Sequence, residues 1–194
     1  WRAGETPWQA EFRRQSWDLY EKLPMPTRRD EEWRRTDLRP IRFNDIAAYA
    51  PSDLAGRGTA AFPEALRTRL DKGPKSSGLI VQHNSEDAHV ELDPELERQG
   101  VIWCGFDHAA RVHTDLVRKY YGTIQPATHG KFAALHYAFH SGGTFLYIPA
   151  GVHIDVPIRS LVFADAPGAG VFPHTLIVLE RGASLSYFEE RASA

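Results

Sequence analysis

The sequence predicts a mixed α+β protein, with a helical amino-terminal region followed by a β-rich carboxy-terminal region. Helical spacing of apolar residues dominates the start of the chain, whereas after Gly142 the helix signals vanish. Short β-type runs then recur about every ten residues, with Gly and Pro turns between them. These changes predict a helical region with an irregular connector over 1–75, a mixed segment over 76–140 and a β core over 141–194.

Composition and charge exclude several classes of protein. The 194 residues are 42% hydrophobic and 11% aromatic, which is typical of a globular chain. With 23 basic and 25 acidic side chains, no overall field favours nucleic acid or an anionic membrane. There is no apolar stretch of about 18 residues and no secretory leader, and a lone cysteine, Cys104, favours a reducing cytoplasm. The start at Trp1 suggests a piece of a longer protein.

The first two thirds of the chain alternate helices with short strands. Thr6 followed by Pro7 predicts the start of a first amphipathic helix, and a second helix is expected at about 63–70. After a linker over 71–78, the runs "GLIVQH", "AHVELD" and "VIWCGF" predict strands. Two further helices are predicted in "DHAARVHTDLVRKYYG", with Asp107 as the cap, and in "GKFAALHYAFHSGG".

The carboxy-terminal region predicts strands only. Its clearest pattern is a strict alternation in which every second residue is apolar, with Val152, Ile154, Val156 and Ile158 on one face and His153, Asp155, Pro157 and Arg159 on the other. The alternation predicts one buried and one solvated face. Further strands are expected in "SLVFAD", "HTLIVLE" and "ASLSYFEE". By periodicity alone, a sandwich, a jelly roll and a β-solenoid fit equally well.

The pair His153-x-Asp155, just after a Pro-x-Gly turn, is a candidate metal site. A cupin-type jelly roll places a histidine there, facing a His-x-His and a glutamate from an earlier strand. The chain has no His-x-His, and the only comparable earlier strand pair is His89-x-Glu91. One imidazole and one carboxylate are too few for a tight site. A cupin-like metal-binding β-barrel enzyme therefore remains the alternative hypothesis.

Other candidate residues favour a structural role. His136 and His140 are four apart on a predicted helix, but Tyr137 stands where a zincin helix has its general-base glutamate. Cys104 lies in an apolar run, which favours a buried small side chain over a reactive thiol. Ser141 lacks the strand-turn-helix context of a nucleophile elbow. No catalytic, cofactor-binding or metal-ligating residue is predicted, and a scaffold or binding module is favoured over an enzyme.

Three stretches together resemble the SufB/SufD family of iron-sulfur cluster assembly proteins. They are "EEWRRTDLRPI" (31–41), "KFAALHYAFHSGGTFLYIPAGVHIDVPIRS" (131–160) and "HTLIVLERGASLSYFEE" (174–190). Two departures from the family pattern stand out. His136 occupies the place of the usual asparagine, and no cysteine follows "SYFEE", which makes SufD the better match.

The resemblance implies a fold and a function. The fold would be the first rungs of a right-handed parallel β-helix, with His153, Asp155 and Arg159 facing outward and the carboxy-terminal part of the family fold absent. The function would be that of a non-catalytic cytoplasmic scaffold that acts with SufB-like and SufC-like ATPase subunits. No cofactor is implied for this chain, since the iron-sulfur cluster would form only transiently on the full complex. An open solenoid end predicts a homodimer or marginal stability.

Overall fold

The computed structural model describes residues 4–194, which form six α-helices and seven strands. The helices are α1 Pro7–Lys22, α2 Glu64–Lys72, α3 Pro94–Arg98, α4 Phe106–Val112, α5 Thr114–Tyr120 and α6 Lys131–Phe139. The strands are β1 Gly78–His83, β2 Glu86–Leu92, β3 Ile102–Gly105, β4 Gly143–Ile148, β5 His153–Ala164, β6 His174–Leu179 and β7 Ser184–Ser193.

Helix α1 begins where the sequence predicts. The Thr6 hydroxyl accepts a hydrogen bond from the Gln9 backbone N–H, and the Gln9 side chain accepts one from the Thr6 N–H, which is a capping box. Pro7 occupies the first turn, where its missing N–H costs nothing. The helix packs on α6, where the buried Arg13 guanidinium donates to the Ala138 carbonyl at 3.2 Å.

Two predicted elements differ in their bounds. The helix expected from Asp107 onward is two helices, because His113 leaves the helical region with φ −115° and ψ 40°. Asp107 lies in the first turn of α4 and is not its cap, and its carboxylate accepts a hydrogen bond from the Gly142 N–H instead. The runs "HIDVPIRS" and "SLVFAD" are one strand, the twelve-residue β5.

The predicted parallel β-helix is wrong. The strands form two small mixed sheets, one with the order β2-β1-β5-β7 and one with the order β3-β4-β6. Each sheet ends in an antiparallel pair, β1 with β2 and β3 with β4, whereas its remaining neighbours are parallel. The first antiparallel pair arises because Asn84 and Ser85 make a two-residue turn in which Asn84 adopts a φ of 53°. β2 therefore folds straight back on β1.

The core has three layers of apolar contacts. Ile80 of β1, Leu146 of β4 and Ile158 of β5 belong to one cluster, so the two sheets pack face to face. The outer face of the first sheet is covered by α2 and the preceding loop, and the outer face of the second by α1 and α4–α6. Because β1, β4 and most of β5 are covered on both faces, near-continuous burial replaces alternation along these three strands.

The predicted faces of β5 are correct only at its start. Ile154 and Ile158 are buried, but Val156 is 47% exposed because the pairing register with β7 shifts between those two isoleucines. Arg159, predicted to face solvent, is 2% exposed. Its guanidinium lies under the end of α2 and donates to the carbonyls of Leu70 and Arg69 at 3.0 and 2.7 Å.

Among residues 4–194, no helix is both long and apolar enough to cross a membrane.

Candidate functional site

The two halves of the predicted cupin-type site lie apart. His153 and Asp155 are exposed, and Nδ1 of His153 lies 2.7 Å from the Ser184 hydroxyl. His89 contacts Glu91 at 3.1 Å on β2, and β1 stands between β2 and β5 in the sheet. In the part of the chain that the structure describes, no three His, Cys, Asp or Glu side chains are grouped as metal ligands.

Cys104 lies on β3 between the sheet and the helices. Burial, followed by the nearby Asp87 carboxylate, raises the pKa of its thiol to about 12. The thiolate is the nucleophilic and metal-binding form, so very little of it exists at neutral pH. A thiol in this environment is a poor sulfur acceptor and a poor ligand.

The structure pairs His136 with His174 rather than with His140. His136 lies on α6 and His174 begins β6, and Nε2 of the first is 2.9 Å from Nδ1 of the second. His140 stacks near both, with ring centroids 6.1 Å from His136 and 5.5 Å from His174. The 38 positions between the paired residues explain why sequence spacing did not reveal them.

An aromatic shell holds the histidine pair. The His174 ring makes edge contacts with Phe106 and Tyr121 at centroid distances of 4.7 and 5.1 Å, and Tyr137 lies 5.6 Å away. Tyr137 is itself fixed, because its hydroxyl donates to the Gln125 carbonyl at 2.7 Å. The imidazoles are therefore rigidly positioned by packing.

Burial keeps both imidazoles neutral. It lowers the pKa of His136 to about 4, with smaller contributions from the positive charges of Arg191 and Arg13. It lowers the pKa of His174 to about 3, assisted by His136 and Arg13. At neutral pH the contact between the two rings is thus an N–H···N hydrogen bond between uncharged groups.

The pair lines an open groove of about 600 Å³ between α6, the loop after α5 and the start of β6. A second cavity of about 570 Å³ continues it along α6, and the two share Trp33, Gln125, Phe132 and Ala133. Among residues 4–194, the only charged residue that lines the first cavity is Arg191. Its guanidinium is paired with the Glu189 carboxylate at 2.8 Å.

A second polar cluster, which sequence reasoning missed, joins Ser52, His83 and Asp165. The Ser52 hydroxyl lies 2.9 Å from Nδ1 of His83, and Nε2 of His83 lies 2.8 Å from the Asp165 carboxylate. Asn84 also donates to that carboxylate at 3.1 Å. Burial alone would raise the pKa of Asp165, but the hydrogen bonds from Asn84 and His83 outweigh it and lower the pKa.

This cluster has the residue types of a hydrolytic triad but not its environment. The Ser52 hydroxyl already accepts a hydrogen bond from the Leu54 N–H at 3.1 Å. The Ser52 N–H, which would help to stabilise an oxyanion, donates to the Glu86 carboxylate at 3.0 Å instead. A carboxylate at that position disfavours a developing negative charge. The cluster fastens the segment around Ser52 to the β1–β2 turn.

The fold and site thus define a mixed α/β protein with two face-to-face sheets, an unreactive thiol and a neutral histidine pair beside a groove. The family model described as SufBD protein N-terminal region matches residues 64–160. The chain belongs to the SufBD family.

Curated relatives agree with this family. Proteins named iron-sulfur cluster assembly SufBD family protein, from Staphylococcus aureus and Staphylococcus epidermidis, are each 34% identical to the chain over 193 residues. The alignments cover 95% of this chain and 40% of each relative. The chain therefore spans two fifths of the length of the curated relatives it matches.

Proposed function

We propose that the chain is part of a non-catalytic, SufD-like scaffold of the cytoplasmic SUF machinery for iron-sulfur cluster assembly. The observation that carries the proposal is the similarity of 95% of the chain to relatives named for iron-sulfur cluster assembly. In this proposal the full-length protein acts in complex with SufB-like and SufC-like ATPase subunits, and the cluster is a cargo of the complex.

The chemistry of Cys104 supports a scaffold over a sulfur-accepting role. A subunit that receives sulfur or ligates a cluster through this segment needs an accessible thiolate. Cys104 is the only cysteine of the chain, and burial raises its pKa to about 12. The absence of cysteine after "SYFEE" supports the SufD-like assignment in the same way.

The sheet edges support association with another chain. Among the described strands, β6 and β7 each pair on one side only, and β7 exposes 43% of Phe188. An unpaired edge with an apolar side chain favours the addition of a further strand. In our proposal this edge is covered by a second copy when the chain is studied alone.

Co-purification tests the assignment. Full-length protein carrying an affinity tag is mixed with a purified SufC-type ATPase and a SufB-type subunit, and the retained subunits are quantified. We expect stoichiometric retention of the ATPase. An unrelated ATPase of similar size is the control, and equal retention of both, or of neither, would overturn the proposal.

A further inference from the structure

The groove beside the histidine pair has the dimensions and the walls of a small-molecule site. Its volume of about 600 Å³ lies within the range of about 300 to 1,000 Å³ typical of ligand pockets. Aromatic rings form much of its wall, including Trp33 and Phe132, whose centroids are 4.7 Å apart. Such a wall favours a flat apolar body that can stack against it.

The electrostatics of the groove favour an uncharged ligand. Both imidazoles are neutral because they are buried. Arg191 is the one charged residue in the described part of the lining, and the carboxylate of Glu189 compensates it. Among the described residues that line this first cavity, an anion would meet no free positive charge and a cation would meet no free carboxylate.

The histidine pair supplies directional hydrogen bonding. A neutral imidazole has one N–H donor and one lone-pair acceptor. The contact between His136 Nε2 and His174 Nδ1 uses one donor and one acceptor. One donor and one acceptor therefore remain on the pair, at Nδ1 of His136 and Nε2 of His174. Among residues 4–194, the hydrogen bond between the two rings occupies only the other nitrogen of each ring. Either choice of tautomers leaves one donor and one acceptor on the pair.

We propose that the groove binds a neutral, planar aromatic ligand that carries a hydroxyl or an equivalent group able to donate and to accept a hydrogen bond. The flat body lies against Trp33 and Phe132, and the polar group bonds to the free nitrogen of His136 or His174. The proposal rests on the geometry of this chain alone and is independent of the role in cluster assembly.

A set of three naphthalene probes tests the proposal. 2-Naphthol has the flat body and the hydroxyl, naphthalene lacks the hydroxyl, and naphthalene-2-sulfonate carries a negative charge. Binding to the 194-residue chain is followed by probe and tryptophan fluorescence at neutral pH. We expect saturable binding of one 2-naphthol per chain, with weaker binding of the other two probes. Absence of saturation, or tightest binding of the sulfonate, would overturn the proposal.

Two variants localise the binding. His136→Leu removes one hydrogen-bonding nitrogen and should weaken 2-naphthol binding about tenfold, which is near the upper end for one hydrogen bond, while it leaves naphthalene binding unchanged. Ala133→Trp, at the junction of the two cavities, should block all three probes. His153→Leu removes an exposed imidazole outside the groove and is the matched control. Equal binding of 2-naphthol by Ala133→Trp and by the control would contradict the assigned site, whether or not His136→Leu folds.

Discussion

Acidification should destabilise the fold through the histidine pair, and His136→Asn should remove part of that sensitivity. The unfolded chain takes up a proton on this imidazole near its ordinary pKa of 6.5, whereas the folded chain does so only near 4. Between these values the unfolded state binds more protons, so the free energy of unfolding falls as the pH is lowered. The contribution of His136 to the free energy of unfolding is fully present above about pH 6.5 and is lost progressively as the pH falls toward 4.

The magnitude follows from the shift. The pKa of His136 falls from 6.5 to about 4, and with about 1.4 kcal/mol per pKa unit the full effect is about 3 kcal/mol. At about pH 5, roughly 2 kcal/mol of this is already lost. The wild-type chain should therefore lose about 2 kcal/mol more than His136→Asn between about pH 7.5 and pH 5.

Urea unfolding at a series of pH values measures this difference. The free energy of unfolding is obtained for the wild-type chain, for His136→Asn and for the control His153→Asn, which removes an exposed imidazole. Carboxylates that titrate elsewhere affect all three proteins alike, so the difference between the curves isolates the buried group. The control should follow the wild type. Parallel curves for all three proteins would refute the argument that burial keeps His136 neutral.

Three further predictions concern the core, the thiol and the sheet edge. Arg159→Ala should lower the free energy of unfolding in urea by about 3 kcal/mol, because two carbonyls at the end of α2 lose the hydrogen bonds of a buried charged donor. The exposed Arg181→Ala is the control, and an equally small effect of both variants would contradict this role. Cys104 should react with a thiol reagent at neutral pH much more slowly in the folded chain than in urea, because burial raises the pKa of its thiol. Equal labelling rates in the two states would contradict this. Phe188→Lys should lower the mass measured by light scattering from that of a dimer to that of a monomer, because it places a charge on the open edge of β7. A mass that stays at the dimer value would contradict association through this edge.

Local patterns predicted most of the individual elements. The Thr6-Pro7 start of α1 and the strand Gly78–His83 are found as expected, because each depends on neighbours in sequence. The arrangement of the strands was not predicted. It depends on the φ of 53° at Asn84, which turns β2 back on β1 and which no periodicity reveals.

The errors along β5 have two physical origins. A strict alternation of apolar and polar residues predicts that one face of the strand is exposed to solvent. Here α2 covers the face that carries Arg159. A buried guanidinium was possible because two backbone carbonyls accept its hydrogen bonds. The shift of register before Ile158 then exposes Val156, an apolar residue that alternation assigns to the core.

The candidate site was not predicted, because the sequence pattern favoured a structural role for His136 and His140. The sequence singled out His136 and His140 because they are one helical turn apart. The partner that His136 contacts, His174, is 38 positions away and comes close only through the parallel pairing of β4 with β6. The cluster of Ser52, His83 and Asp165 likewise depends on tertiary structure. Sequence reasoning finds such groups only when their members share one element.

The central claim, membership of an iron-sulfur assembly machinery as a scaffold, is tested most directly in cells. The encoding gene is deleted, and the activity of an iron-sulfur enzyme such as aconitase is measured in extracts with and without the restored gene. We predict a loss of aconitase activity that the wild-type gene restores, and that Cys104→Ser restores equally, because that thiol has no part in the chemistry. Unchanged aconitase activity after deletion would contradict the assembly role, and failure of Cys104→Ser to restore it, despite normal protein levels, would contradict the scaffold role.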